Sequence, residues 1–376
     1  MAHFPKTGEV MVAVMRRTCI ATLLSCALIA SSALAARAAA GGLDTSFGGD
    51  GMVITNLTRN RDFGMAMANQ GNGKIVVAGR TAGHGGMFAL VRYKPNGHLD
   101  PIFGHDGRVT TNFTPKVDAA RAVAIQANGK IVVAGAAGGA DGKFALARYT
   151  ASGALDHTFS LNGKATTNFT VGHPDGANAV AIQDDGKVVV AGVAGGKDSQ
   201  FAVARYTRNG KLDSAFGLNG KVRTNFTVGG ADDANSVAIQ ADGKIVAAGF
   251  DSRSNDTRKF ALARYNPDGS LDSTFESGDG MLDTSLTGND VAFAVAIQAN
   301  GKIVAAGGAR GKFGVARYLP DGFRDTNFSH DGQVTTNFSA GADVTRGMLI
   351  QSNGKIVCAG SADSLRVFAV ARYLGS

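Results

Sequence analysis

Short apolar runs broken by glycine set the pattern along most of this chain. In one stretch they are Ala122–Gln126, Lys130–Ala134, Phe144–Tyr149, and a run from Leu155 to Phe159 that resumes over Ala165–Phe169. The runs are rich in Val, Ile, Phe and Thr. The second and third carry apolar or small residues on both faces, which predicts strands covered from both sides. No stretch holds a helical period. Between the first and second runs stands Asn or Asp followed by glycine, as at Asn128-Gly129 and Asp185-Gly186, and Ser152-Gly153 or Asn209-Gly210 stands between the third and fourth. A three-residue hairpin loop ends on a left-handed residue, a conformation glycine takes without steric cost. The pattern therefore predicts two antiparallel hairpins per unit.

The unit is written six times. Gly-Lys-Ile/Val-Val places its lysine at Lys74, Lys130, Lys187, Lys244, Lys302 and Lys355, at intervals of 53 to 58 residues. Arg-Tyr follows in every unit and accounts for all 6 tyrosines of the chain. Asp-x-x-Phe is the third landmark, beginning at Asp44, Asp100, Asp156, Asp213, Asp272 and Asp325. Three landmarks in a fixed order mean an array of like units. Four-stranded sheets repeated about an axis predict an all-β, six-bladed propeller over residues 43–376.

Residues 1–38 read as a secretory signal. Arg16 and Arg17 precede an apolar stretch from Cys19 to Leu34, and Ala33-Leu34-Ala35 and Ala36-Arg37-Ala38 supply small-x-small cleavage patterns. The run is short for a membrane anchor and no charged stop follows it. Met15 stands directly before the arginines as an alternative start. Removal of the signal leaves Cys358 as the one thiol, in a strand where sister units carry Val or Ala; it reads as a small core residue.

Leu271-Asp272-Ser273-Thr274-Phe275, Asn300-Gly301-Lys302-Ile303-Val304-Ala305-Ala306-Gly307 and Phe260-Ala261-Leu262-Ala263-Arg264-Tyr265 resemble the delta-60 repeat of exported bacterial proteins. The resemblance runs from Leu43 to Leu374. It implies a β-propeller, bacterial origin and export, to the periplasm or the exterior, and no assigned chemistry. Arg324 departs from it by replacing the usual Leu before Asp325, and Gly280–Leu286 departs from the usual Gly-Lys-Val-Thr-Thr-Asn-Phe.

Composition narrows the function. The chain has 52 glycines, 44% hydrophobic residues and only 18% charged residues, so it buries too much apolar surface to be disordered. No phosphate loop, nucleophile elbow, zinc-protease motif or calcium loop is present, and the histidines recur at no common position. No catalytic, cofactor or metal residues are therefore expected. The net charge of +8 is spread once per repeat, and the aromatics sit on strand positions, so no nucleic-acid partner is expected. The six repeat lysines form a ring of charge on the face of the first-to-second-strand turns, where solvation is the plain role and anionic polymers the alternative.

Two function classes follow. The first is a non-catalytic, monomeric binding or scaffold module of the cell envelope whose ligand is a surface polysaccharide or a protein. It would bind through the variable loops between second and third strands, where His84, Asp141, Lys197, Arg253, Arg310 and Arg366 are the candidate residues. These loops are expected on the face opposite the lysine turns, because successive antiparallel strands alternate their ends. The second is a hydrolase or lyase of extracellular polymers, using Asp198, Asp251, Asp256 or Asp363.

The repeat also predicts its own closure. The arginine of Arg-Tyr precedes the aspartate of Asp-x-x-Phe by eight residues in five units, which sets Arg148 opposite Asp156 and Tyr149 opposite Leu155. Arg372 has no aspartate after it and Asp44 no arginine before it. Residues 43–57 are therefore expected to complete the last blade, pairing Asp44 with Arg372 and closing the ring.

Overall fold

The hairpin loops have the geometry that their glycines require. Gln126 N donates to Lys130 O at 2.9 Å and Gly129 N to Gln126 O at 2.8 Å, with Gly129 at φ +79°. The loop after Tyr149 repeats this arrangement, with Gly153 at φ +90°. The computed structural model describes residues 43–375 except Asn60, Gly83, His84, residues 253–256 and Leu365. The signal segment expected over residues 1–38 lies outside the described residues.

Blade 2 shows the plan: strands Asp118–Ile125, Ile131–Ala137, Lys143–Tyr149 and Lys164–Thr167 follow one another across an antiparallel sheet. Asp118 pairs with Ala137 and Ile125 with Ile131. The start of the first strand and the second-to-third-strand loop thus share one end of the blade, and the turn after Ile125 lies at the other, as expected. Five such sheets and a sixth, with three strands among the described residues, make a six-bladed, all-β propeller. Among the described residues, no helix is long and apolar enough to cross a membrane.

The core lies between blades. Along the second strand, Val132 and Ala134 join a cluster with Ala177, Val188 and Val190 of blade 3, whereas Ile131 and Val133 join one with Val76, Ala78 and Phe88 of blade 1. Alternate residues of a strand point to opposite faces, so a strand between two blades must be apolar on both. Clusters of this kind join blades 1 through 6 in succession. Cys358 is fully buried in the last of them, and burial pushes its thiol pKa up to about 12.

A clamp recurs at each corner. Arg148 Nε donates to Asp156 Oδ2 at 2.7 Å, its guanidinium lies 4.6 Å from the Phe159 ring centroid, and its Nη1 donates to Arg208 O of blade 3. Tyr149 reaches back, donating to Thr111 Oγ1 of blade 1 at 2.8 Å. Each arginine–aspartate pair therefore ties its blade forward, and each tyrosine ties it backward.

One expectation needs correction. The fourth strand is not continuous from Leu155. Tyr149 and Leu155 form an isolated bridge, and the chain then turns through Asp156–Gly163, burying Phe159, before Lys164–Thr167 pairs with Phe144–Ala147. Phenylalanine burial against the next blade's loop takes precedence over an unbroken ladder.

The ring closure expected of residues 43–57 spans two units of the chain. The sixth sheet has three strands among the described residues, Val344–Ile350, Ile356–Ala362 and Val367–Tyr373, and residues 43–57 form no strand. The chain divides into two compact units between Ile54 and Thr55. In the first, Asp44 is exposed and its carboxylate accepts from Ser46 N at 3.0 Å and Ser46 Oγ at 2.6 Å. In the second, Arg372 is exposed and has no carboxylate partner among the described residues. On the third strand of the sixth sheet Phe368 is 99% exposed, where its counterparts Phe88, Phe144, Phe201, Phe260 and Phe313 are 0% exposed.

Candidate functional site

The six first strands lie innermost, each against the first strand of the next blade from blade 1 to blade 6. Every one is interrupted at the same place by a β-bulge, where two of its residues face one of the second strand. The extra residue is Met65, Arg121, Asn178, Asn235, Phe293 and Arg346 in blades 1 to 6. Bulges re-aim a side chain and are common beside functional sites. The glycine of Val-Ala-Gly makes this one possible: a Cβ on Gly135 would stand 2.0 Å from Ala119 O. All the bulges lie near the start of the first strand, on the face of the second-to-third-strand loops.

The bulged side chains link blade to blade. Arg121 Nη1 donates to Asn178 Oδ1 at 2.8 Å. Asn178 Nδ2 donates to Asp233 Oδ1 at 2.9 Å and to Ala234 O at 3.0 Å. Asn235 Nδ2 donates to Ala292 O at 2.9 Å. Arg346 lies 4.5 Å from the Phe293 ring centroid, and Arg80 on the second strand of blade 1 lies 4.7 Å from that of Phe63. Glycine at 176 leaves room for this track, since a Cβ there would stand 2.8 Å from Arg121 Nη1.

This end of the axis, ringed by the bulges and called the mouth below, perturbs its ionisable groups. Burial raises Asp233 to about 7, with the Arg121 charge and the Asn178 hydrogen bond pulling the other way. Burial lowers Arg121, Asp233 opposes that, and the positive charge of Arg80 adds to it. Beside them, burial raises Asp232 to about 6, with the charge of Asp251 acting in the same sense against hydrogen bonds from the Phe226 and Thr227 amides. Asp251 stands where the other blades have Thr81, Ala137, Ala194, Ala309 and Ala362. It is buried in the wall of blade 4 and accepts from Thr227 Oγ1 at 3.3 Å.

The opposite end of the axis is uniform. A cavity of about 650 Å³ there is lined by Ile182, Ile239, Ile297, Gln240 and Gln298, positions filled alike in neighbouring blades. The lysine ring expected on that face is spent. Lys74, Lys130, Lys187, Lys244 and Lys302 reach Asp100, Asp156, Asp213, Asp272 and Asp325 at 2.8 to 3.3 Å, adding a second cation to each clamp.

The loop candidates do not assemble. Asp141 pairs with Lys116 at 3.0 Å, and Lys197, Arg310 and Arg366 are exposed. No hydrogen bond or ion pair joins any two of these four among the described residues. His84, Arg253 and Asp256 lie outside the described residues. Asp198 and Asp363 are partly buried, and Asp363 N donates to Ser339 Oγ at 3.0 Å.

Loop divergence drew attention away from the bulge residues, which sit within a strand of the repeat. Their signal is in the sequence. Three positions after Asp62, Asp118, Asp175, Asp232, Asp290 and Asp343 the residue changes from Met to Arg, Asn, Asn, Phe and Arg, while the position before it stays Gly, Ala or Thr.

Residues 70–103, 126–159, 183–216, 240–275 and 298–328 match a domain of unknown function, the DUF5122 beta-propeller. No curated protein matches the sequence. Similar solved structures include a protein of unknown function from Bacteroides caccae, at 11% identity and TM-score 0.44 over 77% of this chain and 84% of that one. A glucose dehydrogenase is similar at 12% identity and TM-score 0.46 over 85% and 99%. An ulvan lyase, a polysaccharide lyase, is similar at 13% identity and TM-score 0.41 over 83% and 86%.

Proposed function

We propose that this chain is a non-catalytic binding propeller of the bacterial envelope or exterior, and that its ligand sits in the axial mouth on the face of the second-to-third-strand loops. One observation carries this: the bulge changes among apolar, cationic and amide side chains from blade to blade, while the residue before it and the opposite end of the axis stay nearly constant. A frame needs sameness; a site for an asymmetric ligand needs difference. The N-terminal sequence supports export.

A glycan and peptide array with the purified chain tests the proposal. The expected result is a ligand whose binding is lost in Asn178→Ala and Asn235→Ala while both variants keep a cooperative unfolding transition. Ligands bound equally well by both variants overturn it.

A second reading, a hydrolase or lyase, draws on Asp233, a carboxyl group that titrates near neutral pH beside Arg121 and Asn178. Turnover in a hydrolase and lyase panel that disappears in Asp233→Asn would favour it.

A further inference from the structure

Every clamp arginine described above has a carboxylate against it, from Arg92 with Asp100 to Arg317 with Asp325. The mouth differs. Among the described residues, Arg80, Arg121 and Arg346 form no ion pair. Arg80 and Arg121 come from adjacent blades, on strands that touch, and the charge of Arg80 acts on Arg121. A guanidinium stays protonated under all ordinary conditions, so neither can relieve that repulsion by losing a proton. Among the described residues, the negative charge acting on Arg121 is that of Asp233, which carries it only in part at neutral pH.

Each guanidinium has a neighbour that orients it. Arg121 is held by its hydrogen bond to Asn178 over the gap left at Gly176, and Arg80 lies on the face of Phe63. Two preorganised, unneutralised guanidinium groups offer paired N–H donors to a group bearing several negative oxygens, the arrangement that makes arginine the preferred partner of oxyanions.

We propose that Arg80 and Arg121 form an oxyanion subsite within this mouth, and that the ligand of the propeller carries a carboxylate or a sulfate group there. The proposal rests on the axial mouth being the binding site and adds the class of ligand. Asn178 and Asp233, next along the same track, lie where the polar remainder of such a ligand would meet an amide and a carboxyl group.

The test follows the arginine Nε–H signals of the full chain by NMR while sodium sulfate, sodium glucuronate or glucose is added at ionic strength held constant with sodium chloride. Saturable shifts of Arg80 and Arg121 are expected with sulfate, with glucuronate or with both, and none with glucose. The arm that binds more tightly identifies the group. Arg121→Gln should weaken that binding about tenfold, the loss of a charge-assisted contact. Arg80→Gln should do the same, and because Arg80 makes no side-chain hydrogen bond to another blade among the described residues, this variant separates binding from folding. Arg223→Gln, at an arginine held by Gln200, should leave it unchanged.

Absence of a saturable shift with either anion overturns the subsite, as do shifts that survive both arginine variants. A neutral ligand from the array that binds and is lost in Asn178→Ala would remove the subsite and leave the mouth standing. Array ligands unaffected by Asn178→Ala and Asn235→Ala would remove both.

Discussion

Arg148 and Asp156 face each other across a three-residue turn, Nε to Oδ2 at 2.7 Å, and the same guanidinium reaches the carbonyl of Arg208 in the next blade. Both residues are buried, at 4% and 5% exposure. The pair is thus a joint between blades as well as a contact within one.

Removing one partner should be costly. Arg148→Ala leaves a carboxylate buried beside Lys130 alone and is expected to lower the unfolding free energy by about 3–5 kcal/mol. Urea unfolding of the variant against the wild type measures this. A loss below about 1 kcal/mol would mean that the pair behaves like a surface ion pair.

Acid should loosen every joint. Burial alone would raise Asp156, yet hydrogen bonds from Lys130 and Thr158 and the charge of Arg148 hold it well below the usual carboxylate range, and Asp272 behaves alike. A folded-state pKa below the unfolded one contributes stability that is present above about pH 4 and is lost as pH falls through the folded value. Unfolding free energies at pH 5, 4 and 3 should therefore fall steeply below pH 4. Asp156→Asn should flatten that fall.

Asp233 should act with the opposite sign. Its folded-state value of about 7 lies above the unfolded one. The folded state therefore holds the extra proton, and the group's contribution to stability declines as pH rises from about 4 to 7. Asp233→Asn should gain on the wild type between pH 5 and pH 8. Urea midpoints at the two pH values check this, and a difference that does not change with pH refutes it.

Blade 6 carries a register prediction. Thr55 Oγ1 accepts from Tyr93 at 2.8 Å, as Thr111 accepts from Tyr149 and Thr167 from Tyr206. In blades 1 to 5 such a threonine pairs with the third-strand phenylalanine, for example Thr336 with Phe313. The same register sets Thr55 opposite Phe368, with Leu57 in the place of Phe338, which packs 4.8 Å from Phe313. Thr55→Cys with Phe368→Cys should form an intramolecular disulfide on mild oxidation. A cross-linked dimer or two free thiols after oxidation, read by mass spectrometry, would contradict the register.

Cys358 should label slowly. It is 0% exposed, and burial holds its thiol protonated at neutral pH. Reaction with a thiol reagent should need denaturant, and rapid labelling of the native chain would show that the seam between blades 5 and 6 opens.

The sequence by itself determined the blades. Turn glycines, runs apolar on both faces and three landmarks in constant order act locally or across eight residues, and local rules are legible in a linear string. The pairing of Arg148 with Asp156 and the burial of Cys358 followed from them. Two features needed the tertiary structure. The lysines looked free along the chain, yet Lys130 lies 2.8 Å from Asp156 because the hairpin brings residues 26 positions apart together. The mouth was hidden for a related reason. A bulge changes where Arg121 points without changing its place in the string, and Asn178 and Asp233 come within reach of it only when three blades stand side by side around one axis. Strand formation is a property of each unit, whereas the site is made by the differences between units that folding sets next to one another.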